Sequence, residues 1–351
     1  MQPVKPRSMI SSNWPWISGE SLRFDRFMER ALHDPERGYY ARRIRGVGRG
    51  GDFTTTPMLT PALSRAVAAW AAAAMKKCGC RDLIELGPGE GLLAQAVLRH
   101  LPWWRRIRTR VHLVERSAPL RDKQAALLGR RARWHDSVEA ALAACGGRAC
   151  LYSNEFVDAF PVRRFRREVD GWSELYVGPA EEWRPGLDLP DSSLLEIPHS
   201  PGQLVEVAES YRNWLHGWLP RWQAGRLLTI DYGAEAARLY HRRPRGTLRA
   251  YLMQQRIEGP GIYQNPGRQD LTADVNFTDL ERWSSPWAET VRQLSQRDFL
   301  QPFAGPGDAA VMDEHGAGGA FRVLDQQVKS RDFAKLRSIA DASSYPPCSA
   351  R

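Results

Sequence analysis

The chain has 351 residues, 42% of them hydrophobic, and carries 50 Lys plus Arg against 40 Asp plus Glu, a net charge of +10. That length exceeds the ~100–200 residues of one simple domain, its apolar content excludes a wholly disordered chain, and no stretch reaches the ~20 consecutive apolar residues of a membrane span. The positive charge admits a polyphosphate partner, yet all but six of the basic residues are arginine, spread in short runs at 42–49, 105–110, 163–167 and 242–245, which fits background composition as well.

In chain order, Leu22, Phe24, Phe27, Met28, Ala31 and Leu32 repeat at helical spacing until Asp34-Pro35 ends the segment. A Gly/Arg loop from Arg42 to Gly51 follows, then an alanine-rich helix over 62–78 stopped by Gly79. Asp82–Leu86 reads as a short strand, Leu93, Val97 and Leu101 mark a helix, Val111–Glu115 a second strand, 117–128 a second helix, and Cys150–Ser153 a later strand. This alternation predicts an α/β fold, a mostly parallel sheet with helices on both faces. Phe165–Val169 and Trp172–Val177 about Asp170-Gly171 form a hairpin signal, an inserted antiparallel unit at about 162–200. A helix is expected over 203–219, a strand at Leu227–Asp231, a lid-like loop at about 236–276 and a terminal strand at 320–324. The expected organisation is an N-terminal helical cap and loop over 1–60, a main domain over 61–335 and a disordered tail over 336–351.

Five cysteines make no disulfide framework, and neither Cys78-x-Cys80 nor Cys145-x4-Cys150 has a histidine at zinc-finger spacing, so free thiols and no metal are expected. The first 20 residues lack the apolar core of a secretory signal. Cytoplasm is the expected compartment, the mitochondrial matrix the alternative.

The chemistry concentrates where a strand turns into a helix, at Glu85-x-Gly87-Pro88-Gly89-Glu90-Gly91. The spacing is G-x-G-x-G, neither the G-x-G-x-x-G dinucleotide fingerprint nor a P-loop. Glycines there admit a ligand close to the backbone, but Glu85 and Glu90 disfavour a pyrophosphate and suit a cation. S-adenosyl-L-methionine has a sulfonium, an ammonium and a ribose diol. Glu115 ends the second strand where it can bind the diol, and Asp136, past the third, is placed to reach the adenine amino group. A plain βα turn is the alternative.

Leu83–Gly91 resembles motif I of class I (Rossmann-like) S-adenosylmethionine-dependent methyltransferases. Further segments narrow the resemblance: Asp34-Pro35-x-x-Gly38-Tyr39-Tyr40, Gly51-Asp52-Phe53-x-Thr55, Asn154-Glu155-Phe156-x-Asp158-Ala159-x-Pro161-Val162, Ile230–Gly233, Gly246–Tyr251 and Asp270–Phe277. Together, over about 24–325, they are similar to the MidA-like family, which includes the mitochondrial complex I assembly arginine methyltransferase. The resemblance implies methylation of a protein arginine in assembly of a respiratory-type complex, with Asp52 closing over the cofactor. Two positions that are often histidine in that family are Gln254 and Asp274 here, and Asn276 also departs from the pattern.

The fourth strand's end faces the methyl group in this fold class, and Asn154, Glu155 and Asp158 lie there. An amide and two carboxylates align a guanidinium by charge-assisted bonds and accept its proton. Capping of a helix entry is the alternative for Asn154 and Asp158. Two rival functions stand beside protein methylation: RNA as the acceptor, and a non-catalytic assembly module.

Overall fold

The computed structural model describes residues 14–16, 20–42, 60–178, 180–252, 255–314 and 316–329. Asp52, Gln254, residues 43–49 of the first arginine run and the 336–351 tail lie outside the described residues.

The main sheet has the order β15-β16-β10-β5-β2-β3-β4, with short β14 (Val275–Asn276) beside β10. β2 (Asp82–Leu86), β3 (Arg110–Val114), β4 (Ala132–His135), β5 (Ala149–Asn154) and β10 (Arg226–Ala234) run parallel, while β16 (Phe321–Val328) pairs antiparallel with β10 and β15 (Ala288–Ser295). The order reverses between β2 and its neighbours β3 and β5, so a crevice opens at the carboxyl end of β2. This is the α/β sheet expected from the alternating pattern.

Helices cover both faces. α2 (Pro61–Cys78) starts at Thr60, whose Oγ1 accepts from Ala62 N, and stops at Gly79 with φ 64°, a left-handed cap that glycine adopts without a Cβ clash. Its apolar side packs with α3 (Leu92–His100) against Leu83, Val111 and Ile230. On the other face α6 (Val138–Ala144) and α7 (Glu209–Trp218) bury Leu215, Trp218 and Trp222. Between them, α4 (Trp103–Arg106) and α5 (Ala118–Leu128) flank β3 in sequence.

The hairpin signal is realised as β6 (Arg163–Glu168) and β7 (Gly171–Val177), inside a five-stranded antiparallel sheet with β1 (Leu22–Arg23), β8 (Glu181–Pro185) and β9 (Leu204–Val207). β9 corrects the helix expected over 203–219. Leu204-Val205-Glu206-Val207 pairs with β6, and the helix begins only at Glu209. Helical spacing of Leu204 and Val207 coexists with strand alternation there, and cross-strand pairing decides. The span expected as a loop over about 236–276 also holds regular structure: β11 (Arg249–Leu252), β12 (Gln255–Ile257) and β13 (Asp270–Thr272) form a third sheet. That sheet and α1 (Phe24–His33) share a core of Phe24, Phe27, Leu175, Ala250 and Leu271.

The 163–167 arginine run is absorbed by this architecture, and the 242–245 run only in part. Arg163, 2% exposed, forks onto Glu174 at 2.7 and 2.8 Å, and Arg164 pairs with Glu206 at 3.1 Å. Arg243 pairs with Asp274 in the 242–245 run.

Candidate functional site

Three left-handed glycines shape the turn after β2: Gly87 (φ 61°), Gly89 (φ 54°) and Gly91 (φ 83°). A Cβ on Gly87 would stand 2.4 Å from the Phe156 ring, so glycine is required both for torsion and for the close approach of the 154–158 segment. Glu85 is 3% exposed and accepts from Tyr152 Oη at 2.8 Å. Burial outweighs that hydrogen bond and pushes its carboxyl up to about 8. Glu90 is committed to Lys123 at 2.7 Å.

Glu115 follows β3. Its Oε1 accepts from Ser117 N at 2.8 Å, and burial raises its pKa. Asp136 follows β4 on the same edge, but its side chain is exposed and paired with Arg121 at 2.6 Å, which also donates to the Glu115 carbonyl. Gln124 was missed by the sequence reasoning. Fully buried, it donates to Gly89 O at 2.6 Å and accepts from Trp134 Nε1 at 2.9 Å, tying the glycine turn to β4. Its signal was present as a polar residue inside the Leu120–Gln124–Leu128 stripe.

The second half of the site follows β5 and β10. Glu155 has φ 51°, a left-handed conformation costly for a residue with a Cβ. Asp231, fully buried at the end of β10, holds the turn: its Oδ2 accepts from Phe156 N and Val157 N at 3.0 and 2.8 Å, its Oδ1 from Tyr232 N at 3.0 Å. Asn154 Nδ2 donates to Glu155 Oε1 at 3.1 Å, and Tyr232 Oη lies 3.4 Å from Glu155 Oε2. Asp158 is 4% exposed; burial lifts it to about 6, opposed by Tyr232 and Arg249. Burial and the neighbouring Asp158 raise Asp231 well above the usual carboxylate range.

Asp274, where the resembling family often has histidine, anchors Arg249, whose guanidinium lies 4.9 Å over the Tyr232 ring. Asn276 caps the helix Phe277–Ser284, accepting from Thr278 N at 3.2 Å. Neither needs a histidine's chemistry to be explained.

Buried polar atoms at this edge that lack a hydrogen-bond partner include Ser117 Oγ beside Glu115 and Asn154 Oδ1 beside Glu155. Such atoms are costly unless a ligand satisfies them. With a glycine cradle, two carboxyls raised by burial, and Arg121 and Lys123 already engaged by Asp136 and Glu90, the donor set fits a cationic nucleoside.

A different cluster, not foreseen from cysteine spacing, lies at the opposite edge of the sheet. Asp82, His112 and Cys145 come together, with His112 Nε2 3.0 Å from Asp82 and its Nδ1 2.9 Å from His135. Arg110 also pairs with Asp82. Each polar side chain there has a partner within the protein.

Residues 66–309 match the sequence profile of a family described as S-adenosyl-L-methionine-dependent methyltransferases. Among curated relatives, the mitochondrial protein arginine methyltransferase NDUFAF7 of Danio rerio is 27% identical over 78% of this chain and 71% of its own length. The Homo sapiens protein of the same name is 25% identical over 78% and 68%. A Burkholderia thailandensis crystal structure bound to S-adenosyl-homocysteine superposes with a TM-score of 0.76 at 26% identity, covering 88% of each chain.

Proposed function

The chain belongs to this family of S-adenosyl-L-methionine-dependent methyltransferases, with S-adenosyl-L-methionine as its cofactor, and from that premise we propose that it methylates an arginine guanidinium in a protein. The observation that carries the proposal is the acidic corner formed by Glu155, Asp158 and Asp231 next to the unsatisfied Asn154 Oδ1.

In this reading Gly87, Gly89 and Gly91 receive the cofactor against the backbone, Glu85 faces its positive end, and Glu115 with Ser117 takes the ribose. Asp136 serves at the rim, reaching the adenine amino group when Arg121 releases it. When bound, S-adenosyl-L-methionine supplies an electrophilic methyl group. Glu155 and Asn154 orient the acceptor nitrogen for in-line attack, where positioning provides much of the rate. A guanidinium holds its proton until methylation begins, so a carboxylate must take that proton as the new N–C bond forms. Asp158, lifted toward neutrality and close to Tyr232, is suited to receive it.

Relatives named as protein arginine methyltransferases support a protein acceptor over RNA. Those relatives are mitochondrial by name, which supports the matrix alternative rather than the cytoplasm expected from the sequence. No helix among the described residues is long and apolar enough to cross a membrane.

The test is transfer of a tritiated methyl group into lysate from cells lacking the protein. Label released by protease and recovered as methylarginine after acid hydrolysis is the expected result. Counts destroyed by ribonuclease and resistant to protease would overturn the arginine reading in favour of RNA.

A further inference from the structure

In the 105–110 arginine run most side chains find no acid among the described residues. Arg99, Arg105, Arg106 and Arg108 form no ion pair among the described residues, and only Arg110 reaches an acid, Asp82. The same stretch holds the most exposed aromatic surface of the described chain. Trp103 is 67% exposed, Trp104 49% and Ile107 71%. Trp103 and Ile107, four residues apart, share one face of α4 and its last turn.

The topology enlarges this patch. β2, β3, β4 and β5 are parallel, so the segments leading into them arrive at one edge of the sheet. Those segments, 76–81, 99–110, 129–131 and 145–148, contain eleven Lys and Arg residues and no Asp or Glu. The glycine turn, Glu115 and Glu155 follow the opposite ends of the same strands. One edge holds the reaction site, and the other presents cations around an exposed apolar knob.

We propose that this basic edge docks on an anionic lipid surface, with Trp103, Trp104 and Ile107 entering the interface and the surrounding arginines meeting the headgroups. Indole rings favour the interfacial region and arginine binds headgroup phosphate, so both halves of the patch find a matching partner. Single-stranded nucleic acid fits less well. It needs flat stacking platforms, whereas the two indoles stand edge to face at 89°, and Ile107 offers a base nothing to stack on. Docking by this edge leaves the cofactor crevice pointing away from the bilayer, open to a protein acceptor.

The experiment is vesicle flotation of the full chain. Wild type rises with phosphatidylcholine vesicles containing about 30% phosphatidylglycerol, stays down with phosphatidylcholine alone, and is released by about 0.5 M salt. The triple variant W103S/W104S/I107S partitions roughly tenfold more weakly onto the anionic vesicles. Unchanged S-adenosyl-homocysteine binding by that variant shows it is folded; were it misfolded, R105E/R106E carries the same expectation with no apolar residue altered. Wild type failing to float with anionic vesicles at low salt would overturn the proposal. Equal flotation of both variants and wild type would do the same. Tight binding of a ~20-nucleotide RNA that the triple variant loses, with no vesicle binding, assigns the patch to nucleic acid instead.

Discussion

The two edges of the central sheet treat charge in opposite ways. At the carboxyl edge, Glu85, Asp158 and Asp231 are buried, and burial raises all three above the ordinary carboxylate range. Polar atoms there go unsatisfied, and Glu155 is held in a left-handed conformation. At the amino edge, arginines stand in solvent at ordinary cost, and the groups that are buried, Asp82 and His112, have partners. At the carboxyl edge the raised carboxyls, the strained Glu155 and the unsatisfied Asn154 Oδ1 stand together where a ligand can relieve them. The net charge of +10 therefore describes neither edge, since the acidic region is concealed and the basic one displayed.

The sharpest way to break this contrast is at the glycine turn. Gly87→Val puts a branched side chain where φ is 61° and the Phe156 ring is 2.4 Å away. Titration calorimetry with S-adenosyl-homocysteine should show affinity falling at least about 100-fold, with stability lowered by roughly 1–3 kcal/mol. Binding as tight as wild type would remove the turn from the cofactor site.

Next comes Glu155, where two substitutions separate strain from chemistry. Glu155→Gln keeps the strained backbone and loses the charge; methyl transfer should drop about 100-fold or more while cofactor binding persists. Glu155→Gly loses the same carboxylate but relieves φ 51°, so it should be equally inactive yet about 1 kcal/mol more stable by denaturant melting. Activity retained in both would make Glu155 a structural turn residue and remove it from orienting the acceptor nitrogen.

A smaller effect concerns pH. Asp158 moves from 3.8 to about 6 because it is buried. As a proton acceptor it must be ionised, so kcat/KM should rise about tenfold per pH unit below 6 and level off above it. Its stability contribution has the opposite sign. The folded state prefers the protonated acid, so that contribution is full below pH 3.8 and is lost as pH rises through about 6. Asp158→Asn should abolish the rate limb near 6 and flatten this part of the stability profile. A limb unchanged in the variant would assign that ionisation elsewhere.

What could be read from the sequence follows from how local each signal was. The strand, glycine turn and helix at 82–100 depend on neighbours within a few residues, and β2 and α3 appear where the pattern put them. Leu204–Val207 was misread because the evidence for a strand is its pairing with Arg163–Arg166 some forty residues earlier. The 240–276 region looked like a loop because its strands are three or four residues long and set among Gly and Pro. Asn154, Glu155 and Asp158 were legible as one segment. Asp231's hold on that segment, and Arg249's place over Tyr232, span about 75 and 17 residues and have no local signature.

The smallest expected effect lies at the basic edge, and its size is the point. Trp103→Ser removes a side chain that is 67% exposed and meets the Trp104 ring edge to face at 6.3 Å. Surface substitutions away from packing or caps usually change stability by no more than about 0.5 kcal/mol, and that is the change expected in thermal or denaturant melting. A large exposed indole that the fold does not need is an apolar cost to solubility, retained beside cations of which, among the described residues, Arg110 alone of 99–110 reaches an acid. A loss of about 2 kcal/mol or more would show instead that Trp103 belongs to the core, and the contrast between the edges would reduce to one of packing.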